Sequence, residues 1–399
     1  MKIIVLLGDG MSDQPCAELN GKTPLQAAAT PNMDSMAQAG QVGLARTVPE
    51  GLPPGSDVAN LSVFGYDPRN CYTGRSPLEA ISMGVQLGPH DVAFRMNLVT
   101  LRPQGGKLFM QDFSAGHIGS EESHQLIATL QAELSDTRFE FHPGVGYRHL
   151  MVWRGGKDTM TAIPPHDITG KQVIDYMPTG EGADELINLM NAAQMVLHTH
   201  PVNRQRIERD ELPANSIWLW GHGKTPRLVP YREKFGLTGS VISAVDLIKG
   251  IGRCAGLDVI NVPGATGYLD TNYQGKAEAA LVALQDQDFV YVHVEAPDEA
   301  SHSGNLQHKL KAIEDFDRLV VGTVLAGLDR FDDVRVLCCP DHPTPVELMT
   351  HTSDPVPFII YRPGQRGGNG ASGYDESTAK ATGLVVEGRE LMTMLTASL

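Results

Sequence analysis

A carboxylate and an imidazole lie four residues apart in the segment FVYVHVEAPDEASHSG, which runs from residue 289 to residue 304. The segment begins with an apolar run, Phe289–Val294, whose length and composition are typical of a buried parallel strand. A loop with Asp298 and His302 follows, and one helical turn there would point both side chains at the same place. Both are ligand types for divalent metals, so the pair predicts a metal site. On its own, the pair is equally compatible with Asp298 as a helix cap and His302 in solvent.

Three other segments place metal-binding side chains directly after a predicted strand. Asp9 follows a strand at 2–7, and Asp341 and His342 follow a strand at 334–339. His351 lies in the loop after that. Functional residues in open α/β sheets collect beyond the carboxyl ends of the strands, so we expect these side chains to converge.

Ser56 is the candidate nucleophile. It follows a rigid turn at 53–55 (PPG) and precedes an apolar segment at 58–64, a pattern that predicts Ser56 as the N-cap of a helix. Each of these polar positions has an ordinary explanation as a cap or a loop residue. The interpretation as an active site depends on all of these residues following strands of one sheet.

The elements that position these residues alternate between strand and helix, which predicts an α/β fold with a mostly parallel sheet covered by helices on both faces. Residues 1–89 and 213–399 would form this core domain. Residues 90–212 contain hairpin and helix patterns and predict an inserted, smaller α+β domain that binds substrate. We also predict a linker at Arg204–Leu212, a helix at Ser240–Ala255 and one long helix at Leu306–Leu328.

Charge and composition exclude several classes of function. The 399 residues include 32 basic and 47 acidic side chains, a net charge of −15, which argues against nucleic acids and anionic membrane surfaces as partners. The five cysteines form no CxxC pair, which indicates reduced thiols. The short apolar run at the N-terminus is a strand rather than a signal peptide, and no stretch is long enough to span a membrane. We therefore expect a cytoplasmic protein.

Several motifs carry a resemblance to a known family. The chain resembles the alkaline phosphatase superfamily of metalloenzymes, and within it the archaeal-type branch of the phosphoglycerate mutases that work without 2,3-bisphosphoglycerate. The resemblance runs from end to end and is weakest in residues 105–212. Its motifs are GDGMSD (8–13), GKTPLQAAATPNMD (21–34), PPGSDVANLSVFGYDP (53–68), YTGRSPLEA (72–80), VPGATGYLDTNYQGK (262–276), HVEAPDEASHSGN (293–305), CPDHPTP (339–345) and HTSDPVPF (351–358).

The resemblance implies two metal sites and a phosphoserine intermediate at Ser56, with 3-phosphoglycerate and 2-phosphoglycerate interconverted in glycolysis and gluconeogenesis. Two divalent ions would stabilise the attacking and leaving oxygens. Mn²⁺ fits carboxylate and imidazole ligands best, with Zn²⁺ and Mg²⁺ as alternatives. The first site would use Asp298, His302 and His351, and the second Asp9, Ser56, Asp341 and His342.

A small phosphorylated substrate requires cationic anchors. Lys224 is the first candidate, followed by Arg75, Arg95 and Arg148, although each could equally be a solvated surface charge. His117 and His166 are weaker candidates. The sequence Gly223-Lys224-Thr225 resembles the end of a P-loop, but Trp218 stands where that motif requires glycine.

Other functions share the same metal ligands and the same serine. The chief alternative is a small-molecule phosphotransferase, such as a homoserine kinase, because the wording VPEGLPPGSDVANLS resembles a bacterial subgroup with that proposed activity. A phosphatase is the next alternative, and a non-catalytic metal-binding protein is the most distant. The sequence leaves the oligomeric state open.

Overall fold

The computed structural model describes residues 1–364 and 368–397. These residues form two compact units, one of Met1–Tyr72 and Arg227–Leu399 and the other of Thr73–Pro226. The predicted insertion at 90–212 lies inside the second unit, which also includes the helix at 76–82 and the strand at 216–223. Each unit has its own hydrophobic core.

The strands alternate with helices in the first unit and form hairpins in the second. Among the described residues they are β1 (Lys2–Gly8), β2 (Gln41–Arg46), β3 (Val92–Gln104), β4 (Lys107–Asp112), β5 (Phe139–Val145), β6 (Arg148–Trp153), β7 (Ser216–Gly223), β8 (Gly239–Ile242), β9 (Asp258–Ile260), β10 (Phe289–Val294), β11 (Val334–Cys339), β12 (Val356–Tyr361) and β13 (Val385–Glu387).

Most helices are short, and many begin at proline, whose fixed φ suits the first helical turn. The α-helices are α1 (Pro24–Ala27), α2 (Pro31–Ala39), α3 (Ser56–Val63), α4 (Pro68–Cys71), α5 (Ser76–Ser82), α6 (Ser120–Leu134), α7 (Ala183–His198), α8 (Pro201–Glu208), α9 (Tyr231–Lys234), α10 (Asp246–Cys254), α11 (Tyr273–Asp286), α12 (Ala296–His302), α13 (Leu306–Asp315), α14 (Gly322–Gly327), α15 (Glu376–Ala381) and α16 (Leu391–Thr396).

An eight-stranded sheet in the order β13-β2-β12-β11-β1-β10-β8-β9 organises the first unit. The pairings are parallel except those of β12 with β11 and with β2, so the predicted mostly parallel α/β sheet is confirmed. The registers Leu7↔His293 and Leu7↔Cys339 align the carboxyl ends of β1, β10 and β11. The polar residues that follow these three strands therefore emerge at one edge of the sheet.

The second unit is built on an antiparallel sheet of five strands in which the long β3 pairs with β4, β6 and β7. A tight turn at Gly105-Gly106 joins β3 to β4, and both glycines have positive φ. Helices α6 and α7 contribute the apolar residues Leu126, Leu130 and Leu186 to its core.

Three element predictions were wrong in part. The predicted linker at Arg204–Leu212 is largely helix, because α8 buries Arg206, whose guanidinium donates to the carbonyls of Leu212 and Ala115, each at 2.9 Å. The predicted helix at Ser240–Ala255 begins as strand β8, which pairs with β10. The predicted long helix at Leu306–Leu328 is continuous but contains a π-helical segment, Phe316–Val321.

Candidate active site

Three carboxylates meet at the edge where β1, β10 and β11 end. Asp9 and Asp341 are fully buried and Asp298 is 3% exposed. The backbone N–H of Gly10 donates to Asp341 Oδ1 at 3.2 Å, which ties the first strand end to the third. Gly10 has φ +62°, and a Cβ there would lie 2.6 Å from Asp298 Oδ1, so only glycine fits this close approach.

Ser56 lies at the mouth of this group. Its Oγ is 3.2 Å from His342 Nε2, and the residue is half-buried. The prediction that Ser56 is an N-cap was wrong by one position, because Gly55 has the extended cap conformation and Ser56 is the first residue of α3. At that position the serine hydroxyl lies at the helix N-terminus, where the helix dipole favours anions.

The first predicted ligand set is brought together. His302 Nε2 lies 3.1 Å from Asp298 Oδ2 and 2.8 Å from His351 Nε2, and His351 Nε2 lies 3.4 Å from Asp298 Oδ1. The other ring nitrogens contact backbone carbonyls, His302 Nδ1 that of Met349 at 3.0 Å and His351 Nδ1 that of Pro54 at 2.9 Å. These carbonyl contacts leave each Nε2 directed at the carboxylate.

The second predicted set is also brought together around His342. Its Nε2 lies 3.4 Å from Asp341 Oδ2 and 3.7 Å from Asp9 Oδ1, in addition to the contact with Ser56. Ligand atoms of Asp9, Asp341 and His342 lie within 4.8 Å of one another, and so do those of Asp298, His342 and His351. His342 therefore belongs to both geometric groups, and all seven predicted residues converge.

Opposing charges set the protonation of this cluster. Burial would raise the pKa of Asp298, but hydrogen bonds with His302 and His351 outweigh burial and hold that pKa well below its ordinary value. The hydrogen bond with Asp298 raises the pKa of His302 to about 9. Burial lowers the pKa of His342. Burial and the charge of the nearby Asp341 raise the pKa of Asp9.

The residues fit a pair of divalent cations. Asp9 Oδ1 is buried without a hydrogen-bond partner, an expensive state unless a cation meets that oxygen. The surrounding donors are carboxylate oxygens and imidazole nitrogens, which suit Mn²⁺ and Zn²⁺. The buried carboxylates concentrate negative charge at this edge of the sheet, so cations would stabilise it.

Sequence reasoning missed the residues that support these side chains. Asn60 Nδ2 donates to Asp341 Oδ2 at 2.8 Å, and Tyr291 OH donates to Asn60 Oδ1 at 2.6 Å. Thr344 Oγ1 donates to Asp298 Oδ1 at 2.5 Å and lies 3.2 Å from His342 Nδ1. The signal for Thr344 was its place two residues after His342, but nothing in the sequence connects Tyr291 with Asn60.

Two further side chains at the same strand ends were also missed. His293 Nε2 lies 2.8 Å from Asp9 Oδ2 and 3.5 Å from Glu295 Oε2. Burial lowers the pKa of His293 to about 3, whereas burial and Asp298 raise the pKa of Glu295 to about 8. An imidazole inside an otherwise apolar strand was the available signal.

The predicted cationic residues lie in the second unit. Arg75 Nε and Arg95 Nε lie 2.8 Å and 3.2 Å from the two oxygens of Glu79, and Arg95 stacks over Trp220 with its Cζ 4.6 Å from the ring centre. The charges of Arg95, Arg75 and Arg148 outweigh burial and hold the pKa of Glu79 below its ordinary value. Two guanidinium groups thus pair with the carboxylate of Glu79 and the charge of a third acts on it, which sequence reasoning missed.

The remaining candidates in this unit differ in their surroundings. Lys224 Nζ pairs with Asp158 Oδ1 at 2.9 Å. His166 packs edge-on against Trp220, with ring centres 5.4 Å apart, and the charges of Arg95 and Arg75 reach it. His117 packs against Tyr147. The arginines and His166 therefore share one neighbourhood.

In the part of the chain that the structure describes, no helix has both the length and the apolar character needed to cross a lipid bilayer.

Comparisons with known proteins agree with the geometry. Residues 37–203 match the family model described as 2,3-bisphosphoglycerate-independent phosphoglycerate mutase. Over 396 residues the chain is 64% identical to a protein of Geobacter sulfurreducens named "Probable 2,3-bisphosphoglycerate-independent phosphoglycerate mutase", with 99% of each chain covered. A Methanosarcina acetivorans protein named as the same mutase is 52% identical over 398 residues, again with 99% of each covered.

Two solved structures are similar to this chain over almost its whole length. The PH0037 protein from Pyrococcus horikoshii superposes with a TM-score of 0.84 at 31% identity and covers 100% of this chain and 98% of its own. A cofactor-independent phosphoglycerate mutase from Thermoplasma acidophilum superposes with a TM-score of 0.66 at 27% identity, with 99% of each chain covered. The similarity extends through both compact units.

Proposed function

Because this chain belongs to the 2,3-bisphosphoglycerate-independent phosphoglycerate mutase family, we propose that it interconverts 3-phosphoglycerate and 2-phosphoglycerate through a phosphoserine at Ser56. The observation that carries the proposal is the position of Ser56 Oγ, 3.2 Å from His342 Nε2 at the start of α3. A serine nucleophile needs an oxygen that the substrate can reach and a buried, charged environment that activates it. We assign the reaction to glycolysis and gluconeogenesis in the cytoplasm.

Two divalent ions, Mn²⁺ in the first instance, would be held by the sets predicted from sequence. When bound, such ions lower the pKa of a serine hydroxyl and neutralise charge on a transferring phosphoryl group. Asp298, His302 and His351 form one ligand set. The other is Asp9, Ser56, Asp341 and His342.

The chain's own residues position the reaction. Ser56 Oγ attacks the phosphorus of 3-phosphoglycerate, a seryl oxygen–phosphorus bond forms, and the bond from phosphorus to the substrate's 3-oxygen breaks. The glycerate stays bound, and its 2-hydroxyl then takes the phosphoryl group from Ser56. The first N–H groups of α3 donate towards the phosphoryl oxygens. Water must be excluded while Ser56 is phosphorylated, since hydrolysis would make the enzyme a phosphatase.

Substrate anions require cationic partners, and the second unit supplies candidates. Arg75 and Arg95 pair with Glu79, the charge of Arg148 also acts on it, and the three positive charges exceed that of one carboxylate. A phosphate or carboxylate would find bidentate donors in this group. We include Lys224 as a fourth substrate-binding residue, on charge alone.

The test is a pair of assays on purified, Mn²⁺-loaded protein. One offers 3-phosphoglycerate and couples 2-phosphoglycerate formation to enolase, and the other offers homoserine with a phosphate donor. We expect product in the first assay only, and none from Ser56→Ala. Phosphorylated homoserine, or release of inorganic phosphate without 2-phosphoglycerate, would replace the proposed substrate. Full activity of Ser56→Ala would end the proposal.

A further inference from the structure

A buried lysine lies behind the proposed metal sites. Lys309, on α13, is fully buried, a state in which lysine is found almost only when its charge is paired. Its Nζ donates to Asp13 Oδ2 at 2.7 Å and to two backbone carbonyls, that of Thr344 at 2.9 Å and that of Ser12 at 3.3 Å. The three N–H donors of the ammonium group therefore have three acceptors.

These acceptors belong to the two loops that carry most of the proposed second ligand set. Ser12 and Asp13 lie in the loop after β1, shortly beyond Asp9. Thr344 lies in the loop after β11, two residues beyond His342. The helix that carries the lysine directly follows α12, which supplies two ligands of the first set. One ammonium group therefore joins three segments from which ligands come.

The backbone of Thr344 is held at both of its polar groups. Its N–H donates to the carbonyl of Ser12 at 3.1 Å, and its carbonyl accepts from Lys309. Because the carbonyl of Ser12 also accepts from Lys309, the contacts close a small ring of hydrogen bonds. The fixed backbone determines where the hydroxyl of Thr344 lies, 2.5 Å from Asp298 Oδ1 and 3.2 Å from His342 Nδ1.

Asp13 fixes the opposite side of the ammonium group. Its Oδ2 also accepts from the backbone N–H of Val346 at 3.1 Å, and its own N–H donates to Glu376 Oε1 at 3.0 Å. A buried ion pair is often no more stabilising than apolar residues of similar volume, so stability alone does not account for this one. What the pair fixes is the distance between the two loops.

We propose that Lys309 is a positioning residue for the dinuclear centre, because it fixes Thr344 and, through the hydroxyl of Thr344, orients Asp298 and His342. The inference rests on the two ligand sets of the proposed function. Ligands that are held in place before an ion arrives lose less conformational freedom on binding, which raises affinity. Asp298 and His342 belong to different sets, so loss of the lysine should weaken the binding of both ions.

The test removes the buried charge pair as a whole, because Lys309→Met alone would leave the carboxylate of Asp13 buried without its cation. The buried-pair variant combines Asp13→Asn with Lys309→Met, which removes both charges and keeps side chains of similar size. The helical-pair variant, the matched control, combines Lys311→Met with Asp315→Asn. It removes an ion pair that lies within α13, with Nζ 2.5 Å from Oδ2.

Titration calorimetry measures the Mn²⁺ affinity of each protein, and circular dichroism of the metal-free protein checks its fold. We expect the buried-pair variant to bind Mn²⁺ about tenfold more weakly than wild type, with the helical-pair variant unchanged. Adding Thr344→Val locates the effect. In the buried-pair variant it should lower Mn²⁺ affinity by less than in wild type, because the hydroxyl has already lost its position.

Every other outcome overturns the role of Lys309. Equal Mn²⁺ affinity in wild type and the buried-pair variant would show that the lysine does not position the ligands, as would an equal loss in the helical-pair variant. Fully additive losses with Thr344→Val would show that Lys309 does not act through Thr344. A buried-pair variant that is unfolded without metal would assign the lysine to the fold as a whole.

Failure of the proposed function is seen separately. A wild-type protein that binds Mn²⁺ but forms no 2-phosphoglycerate would contradict the proposed reaction and leave the comparison of Mn²⁺ affinities in force. A wild-type protein that binds no Mn²⁺ would overturn the dinuclear centre and the role of Lys309 together.

Discussion

Thr344 is the residue that links the two proposed metal sites. Because its hydroxyl donates to Asp298, it is left to accept from the Nδ1–H of His342, which directs the Nε2 lone pair of that ring towards Ser56. One buried hydroxyl thus orients a ligand of each site. Groups of this kind contribute to affinity without touching the ion.

Thr344→Val keeps the volume of the side chain and removes both hydrogen bonds. We expect Mn²⁺ affinity to fall by about 10- to 100-fold, since an unsupported carboxylate and imidazole lose their orientation. Titration calorimetry with Mn²⁺ measures the change. Thr344→Ser retains the hydroxyl and should bind Mn²⁺ like wild type. Equal affinity in wild type and Thr344→Val would show that the hydroxyl does not support the site.

The seven predicted ligands, Ser56 among them, could be placed from sequence because each follows an identifiable strand or turn and matches a family motif. His293 and Glu295 were missed, because a histidine within an apolar strand signals a buried polar side chain but does not reveal its partners. Thr344, Asn60 and Tyr291 act through contacts between distant segments. Such contacts depend on packing, which periodicity does not encode.

At the scale of elements, the N-terminus of α2 shows how distant segments complete local structure. Thr30 is the N-cap residue of α2 but makes no side-chain capping hydrogen bond. Asp317, in the π-helical segment, takes its place: its carboxylate accepts from Met33 N at 2.7 Å and from Asn32 N at 3.2 Å. The cap therefore comes from a residue almost 300 positions away.

Asp317→Ala should lower the free energy of unfolding by about 1–3 kcal/mol, because it leaves two N–H groups at the start of α2 without an acceptor. Thr30→Ala removes a side chain that makes no capping hydrogen bond, so it should lower the free energy of unfolding by less than Asp317→Ala does. Urea denaturation followed by circular dichroism gives both values. A larger loss for Thr30→Ala than for Asp317→Ala would contradict this assignment of the cap.

Element prediction succeeded where an apolar run had clear bounds, as in β10 and β11. Element prediction failed where the composition of a segment suggested the wrong kind of structure. The polar segment that forms α8 looked like a linker because its stabilising contacts are side-chain hydrogen bonds of Arg206. Three of the four residues of β8 were assigned to a helix because so short a strand shows no period of its own.

For the whole molecule, acid stability depends on the histidines that each unit buries. In the first unit these include His293, and in the second His149, which is 4% exposed and has a pKa lowered to about 3 by burial and by His124. The unfolded chain binds protons at such residues below about pH 6.5, whereas the folded chain does not. The free energy of unfolding therefore falls as pH drops from 6.5 towards 3.

His149→Asn should reduce this acid sensitivity. Each buried histidine makes the free energy of unfolding fall by about 1.4 kcal/mol per pH unit in that window, and the variant removes one of them. Asparagine Oδ1 can accept the hydrogen bond that Gly144 N donates to His149 Nδ1 at 3.0 Å. Urea denaturation between pH 4 and 7 measures the slope, with the exposed His198→Asn as control. An unchanged slope in His149→Asn would mean that His149 is protonated in the folded protein.

The most direct test of the account is the location of the phosphoryl group in acid-quenched protein. Mn²⁺-loaded enzyme is mixed with 3-phosphoglycerate, quenched within a turnover, digested, and sequenced by tandem mass spectrometry. The account predicts one phosphorylated residue, Ser56, in the peptide that spans the start of α3, and no modification when substrate is omitted. Turnover to 2-phosphoglycerate with Ser56 unmodified, or with the phosphoryl group on a different side chain, would contradict it.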